Sequence, residues 1–266
     1  MKLLVDGGEL YYEVYGEGET IVFLNGFASG ISNWYPVIKD LKQSYRCVLF
    51  DYLGTGDSQC HTDYQFSLDA YANDINQLIE SLDAEKVHLV GYSMGGWLAQ
   101  YYSRQFSEKV VSLSLINSSS RIFARQNWII SHFIDVLRDS DIEVFGKLMF
   151  VSYYSPEFFE KNEAHLDRLK KLAVLTFEKQ SRKNWESVLH SCLPFNGESH
   201  LSTLDIPVLC ISGETDVLCP KHTAERFKQL VKNITAIEFP SVGHAIPMEQ
   251  FKLLKIELER FITNLN

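Results

Sequence analysis

The chain has 266 residues, 45% of them hydrophobic and 22% charged, with a formal charge of −9. That composition excludes wholesale disorder, and the length leaves room for a core that needs neither a disulfide nor a metal staple. The negative balance excludes a general nucleic-acid binder, which needs a basic footprint against phosphate, and disfavours polyanionic membrane surfaces.

Met1–Val5 is an apolar run too short for a signal-peptide core, and no cleavage site follows it. No segment approaches the roughly eighteen uninterrupted apolar residues of a spanning helix. The five cysteines (Cys47, Cys60, Cys192, Cys210 and Cys219) are scattered, with no C-x-x-C pair. Together these features predict a soluble cytoplasmic protein with reduced thiols.

Short runs rich in β-branched residues alternate with helical patterns. Thr20–Leu24, Arg46–Phe50, Lys86–Val90, Val110–Ile116, Val208–Ser212 and Ile234–Phe239 read as buried strands of a mainly parallel sheet. Between the second and third, Leu68, Tyr71, Ala72, Ile75, Leu78, Ile79 and Leu82 recur at helical spacing, with Ser67 placed to cap the start. From about Ser118 to His200 the pattern is helical without a convincing strand, and dense in large apolar residues. Leu254, Leu258, Phe261 and Ile262 mark a closing amphipathic helix. The whole chain, 1–266, therefore reads as one α/β domain, a doubly wound and mainly parallel sheet with a helical insertion at about 118–200. Such sheets keep ligands at their carboxyl edge, where the insertion forms a lid. Most of its apolar residues pack on one another. Phe123, Phe133, Phe150 and Tyr153, with Tyr92 from the sheet, are the candidates to line a pocket.

Gly91-Tyr92-Ser93-Met94-Gly95 lies where the third strand must turn sharply into a helix. A residue at such a turn is strained, and glycines two before and two after let strand and helix approach. Serine becomes a nucleophile only when a base takes its proton. Among eight histidines, His244 alone sits in a loop directly after the last strand, while His88 lies within a strand and reads as core. The carboxylate that holds the base should follow the penultimate strand, in Ser212-Gly213-Glu214-Thr215-Asp216; Asp216 is the choice and Glu214 the alternative. Phe50-Asp51-Tyr52-Leu53-Gly54-Thr55-Gly56-Asp57-Ser58 is a glycine-rich turn without the third glycine of a dinucleotide loop, since position 59 is Gln59. No H-E-x-x-H or clustered Cys/His spacing points to a metal, and no cofactor is implied.

The chain resembles the α/β-hydrolases over nearly its whole length. The order Ser93, Asp216, His244 matches that family's nucleophile, acid and base. Gly213 to Pro220 is similar to its G-x-x-D-x-x-x-P loop, and Asp51 to Ser58 to its D-x-x-G-x-G-x-S element. The resemblance implies a nucleophile elbow at Gly91 and Gly95 and an oxyanion hole made by the backbone N–H groups of Phe27 and Met94. Where the family usually shows His-Gly, this chain has Asn25-Gly26, which is similar to acyltransferase-like members that take hydroxyacyl chains from acyl carrier protein. The implied activity is a serine esterase or thioesterase acting on a hydrophobic, medium-chain acyl group through an acyl-enzyme. One alternative is transfer of the acyl group from acyl carrier protein or coenzyme A to a hydroxyl or thiol. The other is a ligand-binding or signalling protein on the same fold.

Overall fold

The computed structural model describes residues 1–178 and 181–265. Its strands are β1 (Lys2–Val5), β2 (Gly8–Tyr15), β3 (Thr20–Leu24), β4 (Arg46–Phe50), β5 (Gln59–Cys60), β6 (Val87–Tyr92), β7 (Val110–Ile116), β8 (Val208–Gly213) and β9 (Ile234–Phe239). They form one sheet in the order β1-β2-β4-β3-β6-β7-β8-β9, with β5 also paired to β2. From β4 across to β9 neighbouring strands run parallel, while β1, β2 and β5 make antiparallel pairs at one end. Every strand expected from the apolar runs is present. The third starts at Val87 and continues to Tyr92, and the fifth continues to Gly213.

The helices are α1 (Tyr35–Leu41), α2 (Leu68–Ser81), α3 (Met94–Gln105), α4 (Ala124–Asp139), α5 (Ile142–Tyr153), α6 (Pro156–Asn162), α7 (Leu166–Glu178), α8 (Arg182–Cys192), α9 (Glu198–Leu201), α10 (Lys221–Leu230), α11 (Ile246–Glu249) and α12 (Phe251–Thr263). Ser67 caps α2 as its sequence suggests, its hydroxyl accepting the Ala70 N–H at 3.0 Å. Helices α4 to α9 fill the segment between β7 and β8. Among the described residues no helix is long and apolar enough to cross a membrane.

Alternation along the strands divides the core between the two faces of the sheet. On β3, Val22 and Leu24 point to the face covered by α2 and α3, with Val48, Phe50 and Leu89. Ile21 and Phe23 point to the other, which α1 and α12 cover through Val37, Ile38, Leu254 and Leu258. His88 is buried within β6, its Nδ1 2.8 Å from Ser112 Oγ, and burial pushes its imidazole below the usual range. It is a core histidine. The parallel strands thus deliver their carboxyl ends, and the loops that follow them, to one edge beneath α4 to α9.

Candidate active site

Strand β6 ends at Tyr92 and α3 begins at Met94, so Ser93 alone makes the turn. It does so at φ 54°, ψ −117°, a conformation rarely tolerated by a residue with a side chain. Close packing explains the flanking glycines. A Cβ on Gly91 would lie 2.4 Å from the Gly95 carbonyl oxygen, and one on Gly95 would lie 2.3 Å from that of Leu24.

His244, in the loop after β9, places Nε2 2.8 Å from Ser93 Oγ and Nδ1 2.7 Å from Asp216 Oδ2. All three residues are buried. The other Asp216 oxygen accepts the N–H groups of Leu218 at 2.7 Å and Cys219 at 2.9 Å. A carboxylate only accepts, so Nδ1 carries the imidazole proton and Nε2 turns its lone pair to the serine hydroxyl. Glu214 is exposed and accepts the Ser241 N–H at 2.8 Å, away from His244. The geometry therefore selects Asp216 over Glu214 as the partner of the histidine.

Beside Ser93 runs the loop after β3. Asn25 spends its side chain on that loop: Nδ2 donates to the Phe50 carbonyl at 2.7 Å, and Oδ1 accepts Trp34 Nε1–H at 2.8 Å. Gly26 passes so close that a Cβ there would meet the Tyr92 ring at 2.8 Å. Phe27 and Met94 follow, and among the described residues neither of their N–H groups has an acceptor. The Asp51–Ser58 turn braces the same loop. Asp51 accepts the N–H groups of Ile31 and Asp57 at 3.2 and 3.1 Å, and burial pushes its carboxyl upward.

Two unlike cavities meet at this point. The first is lined by Ser93, His244, Trp97, Ile129, Ile130, Phe133, Tyr153 and Leu189 among others. The second is a wider, open cleft lined by Glu13, Asp51, Asp57, several tyrosines, Phe150 and Trp185. Phe27, Met94 and Tyr153 belong to both.

Of the aromatic residues proposed from sequence, Phe133 and Tyr153 line the first cavity and Phe150 the second. Two others are corrected. Tyr92 is 1% exposed and packs against the His244 ring at 5.3 Å, behind the site, because β6 continues through it and turns its side chain into the core. Phe123 sits at the start of α4 edge-on to His222 at 5.2 Å, with Arg121 over its ring, and reaches neither cavity. Sequence reasoning missed Gln126, Ile129 and Ile130, which with Phe133 form an i, i+3, i+4, i+7 face of α4; that spacing was the available signal. It also missed Cys219, whose thiol burial pushes well up, an effect the nearby Asp216 charge reinforces. Asp216, Cys219 and His244 gather possible ligand atoms within 4.8 Å of one another. Two of the three, Asp216 and His244, are bonded to each other at 2.7 Å.

Residues 19–251 match the alpha/beta hydrolase fold family. A protein of Azorhizobium caulinodans named as a candidate carbamate hydrolase, RutD, is 24% identical over 89% of this chain and 88% of its own length. The crystal structure of MGS-M2, an alpha/beta hydrolase enzyme from a deep-sea metagenome, superposes with a TM-score of 0.93 at 19% identity, covering 99% of this chain and 97% of that one. The esterase EaEST of Exiguobacterium antarcticum gives 0.87 at 21% identity, with 97% of each chain covered. With the family match spanning most of its length, this chain belongs to the α/β-hydrolase fold family.

Proposed function

We propose that this protein is a serine hydrolase that cleaves esters or thioesters of apolar acids through an acyl-enzyme. The observation that carries the reading is the unbroken relay from Asp216 through His244 to Ser93, at 2.7 and 2.8 Å, opening on the apolar cavity. Ser93 Oγ attacks the carbonyl carbon as its proton passes to His244 Nε2, and Asp216 stabilises the imidazolium. The oxyanion forms toward the unpartnered N–H groups of Phe27 and Met94, donors already in place before reaction. His244 then returns the proton to the departing oxygen or sulfur. A water molecule, deprotonated by the same imidazole, releases the acid and restores Ser93.

The first cavity suits the acyl chain, since it is walled by Trp97, Ile129, Ile130, Phe133 and Leu189. The second suits the leaving group. Among the described residues lining it there are three carboxylate side chains and no lysine, arginine or histidine. That lining supports an uncharged alcohol over a phosphate-bearing carrier such as coenzyme A or acyl carrier protein, and so supports hydrolysis over the acyltransferase alternative. Asn25, the residue similar to the acyltransferase-like members, is accounted for by its bonds to Phe50 and Trp34. The free thiols suit the reducing cytoplasm to which we assign the protein.

A fluorophosphonate probe tests the nucleophile: intact-mass and peptide analysis should find one adduct, on Ser93. An adduct on another serine, or none, sinks the assignment. A panel of acyl esters, acyl thioesters and a carbamate, with product identification, tests the substrate. Preference for the carbamate would overturn the acyl reading while leaving the triad intact, and binding without turnover would favour the ligand-binding alternative.

A further inference from the structure

We propose that Asn117 is a positioning residue that sets the register of the three catalytic segments from the end of β7; this rests on the serine-hydrolase reading above. Asn117 is buried and lines neither cavity, so it has no direct contact to offer a substrate. Its backbone adopts φ 43°, a left-handed conformation that asparagine tolerates better than most side chains. From there the amide reaches both loops that carry the histidine and its acid. Oδ1 accepts the Gly213 N–H at 2.7 Å, and Nδ2 donates to the Gly243 carbonyl at 2.9 Å and to that of His244 at 2.7 Å. Gly213 closes β8, three residues before Asp216, and Gly243 precedes His244. The two loops touch where Asn117 joins them, since a Cβ on Gly213 would lie 2.3 Å from the Gly243 oxygen.

The residues on either side complete the arrangement. The Ser93 N–H bonds to the Ile116 carbonyl at 2.9 Å, and Ser118 Oγ donates to the Ser93 carbonyl at 3.0 Å. The Asn117 N–H bonds to Ile211 in β8 at 2.8 Å. One tripeptide, Ile116-Asn117-Ser118, thus holds the nucleophile's backbone, the acid strand and the base loop. The side chain's role is specific to an amide. It needs one acceptor toward Gly213 and two donors toward carbonyls, and an ionised aspartate would turn an oxygen against both of those carbonyls.

The test compares Asn117→Ala and Asn117→Asp with wild type in the full chain, per folded molecule and well below each melting temperature. Two quantities are read: the rate of fluorophosphonate labelling at Ser93, and kcat and KM on the best ester. Displacement of the relay should lower kcat and labelling on the order of 100-fold for Asn117→Ala, with KM little changed. Asn117→Asp keeps the shape and the Gly213 bond, and serves if the alanine variant does not fold; it should lose activity in the same way. Wild-type kcat and labelling rates in the folded variants, with only the melting temperature lowered, would overturn the proposal, as would a rise in KM at constant kcat. A wild-type chain unlabelled at Ser93 would remove the triad reading, and the role of Asn117 with it. A labelled wild type with unaffected variants would remove the role of Asn117 alone.

Discussion

Along the carboxyl edge of the sheet, Ser93, His244 and Asp216 are joined at 2.7 and 2.8 Å, and backbone N–H groups satisfy the free oxygen of the acid. The insertion above contributes Gln126, Ile129, Ile130, Phe133, Tyr153, Leu189 and Cys192 to the same cavity. Of these, Gln126 reaches back to Cys219 and Tyr153 to the Phe27 carbonyl with polar atoms. The sheet edge is built from directional bonds, which specify distances and angles. The insertion is built mainly from apolar contacts, which specify a volume. Chemistry should therefore fail sharply when the edge is altered, whereas changes in the insertion should shift substrate preference gradually.

The largest effect is expected at the edge. Ser93→Ala should lower kcat on the order of 10⁶-fold, with the circular dichroism spectrum unchanged. Asp216→Asn should cost on the order of 10⁴-fold, because Nδ1 then loses the acceptor that holds the tautomer. Glu214→Gln is the control and should change the rate by no more than about twofold, as its side chain caps an exposed turn. If the order of those two acids were reversed in steady-state kinetics, the assignment of Asp216 would be wrong.

In the insertion the response should be graded. Each methylene that an acyl chain buries contributes about 0.8 kcal/mol, or roughly fourfold in kcat/KM, until the cavity is full. Medium chains should therefore exceed acetyl, and Ile130→Ala should move the optimum to longer chains. A flat profile across chain lengths would mean that α4 and α8 pack on each other without serving the substrate.

The same contrast governs what was legible in the sequence. The turn at Ser93 can be read because glycine is required at Gly91 and Gly95 by contacts of 2.4 and 2.3 Å that any side chain would break. Strands β6 and β8, which lead to Ser93 and Asp216, are buried along their whole length and stand out as apolar runs. Strand β9, before His244, ends the sheet and is largely only half-buried, contrary to the expectation of a buried strand there. Strands β1, β2 and β5 were not identified; β2 is largely half-buried, and Glu9 and Glu13 interrupt its apolar residues. The walls of the cavity were harder to read. Periodicity places a ring on a helix face but does not say which neighbour that face meets, so Phe133 lines the first cavity while Phe123 lines neither. Tyr92 was misread for a related reason, since its position in the motif carries no information on which side of β6 it turns. Asn117 left no signal at all, because its meaning lies in three carbonyl and amide groups far away in the chain.

The smallest effect concerns a polar group of the scaffold that serves no part of the site. Asp74 on α2 is buried with the Tyr64 hydroxyl 2.5 Å away, and burial raises its carboxyl from 3.8 to about 6, against the opposing pull of that hydrogen bond. A raised acid means that the folded chain holds the proton more tightly than the unfolded one. Its contribution to stability is therefore complete below about pH 4 and is lost as the pH rises through about 6. Asn at this position still accepts the tyrosine hydroxyl but never ionises. Asp74→Asn should thus melt above wild type at pH 8 and level with it near pH 4. Because Asp74 lies under the sheet and away from both cavities, kcat/KM and the chain-length profile should not move. An equal gain in melting temperature at both pH values would show that packing, and not the buried charge, sets the cost of Asp74.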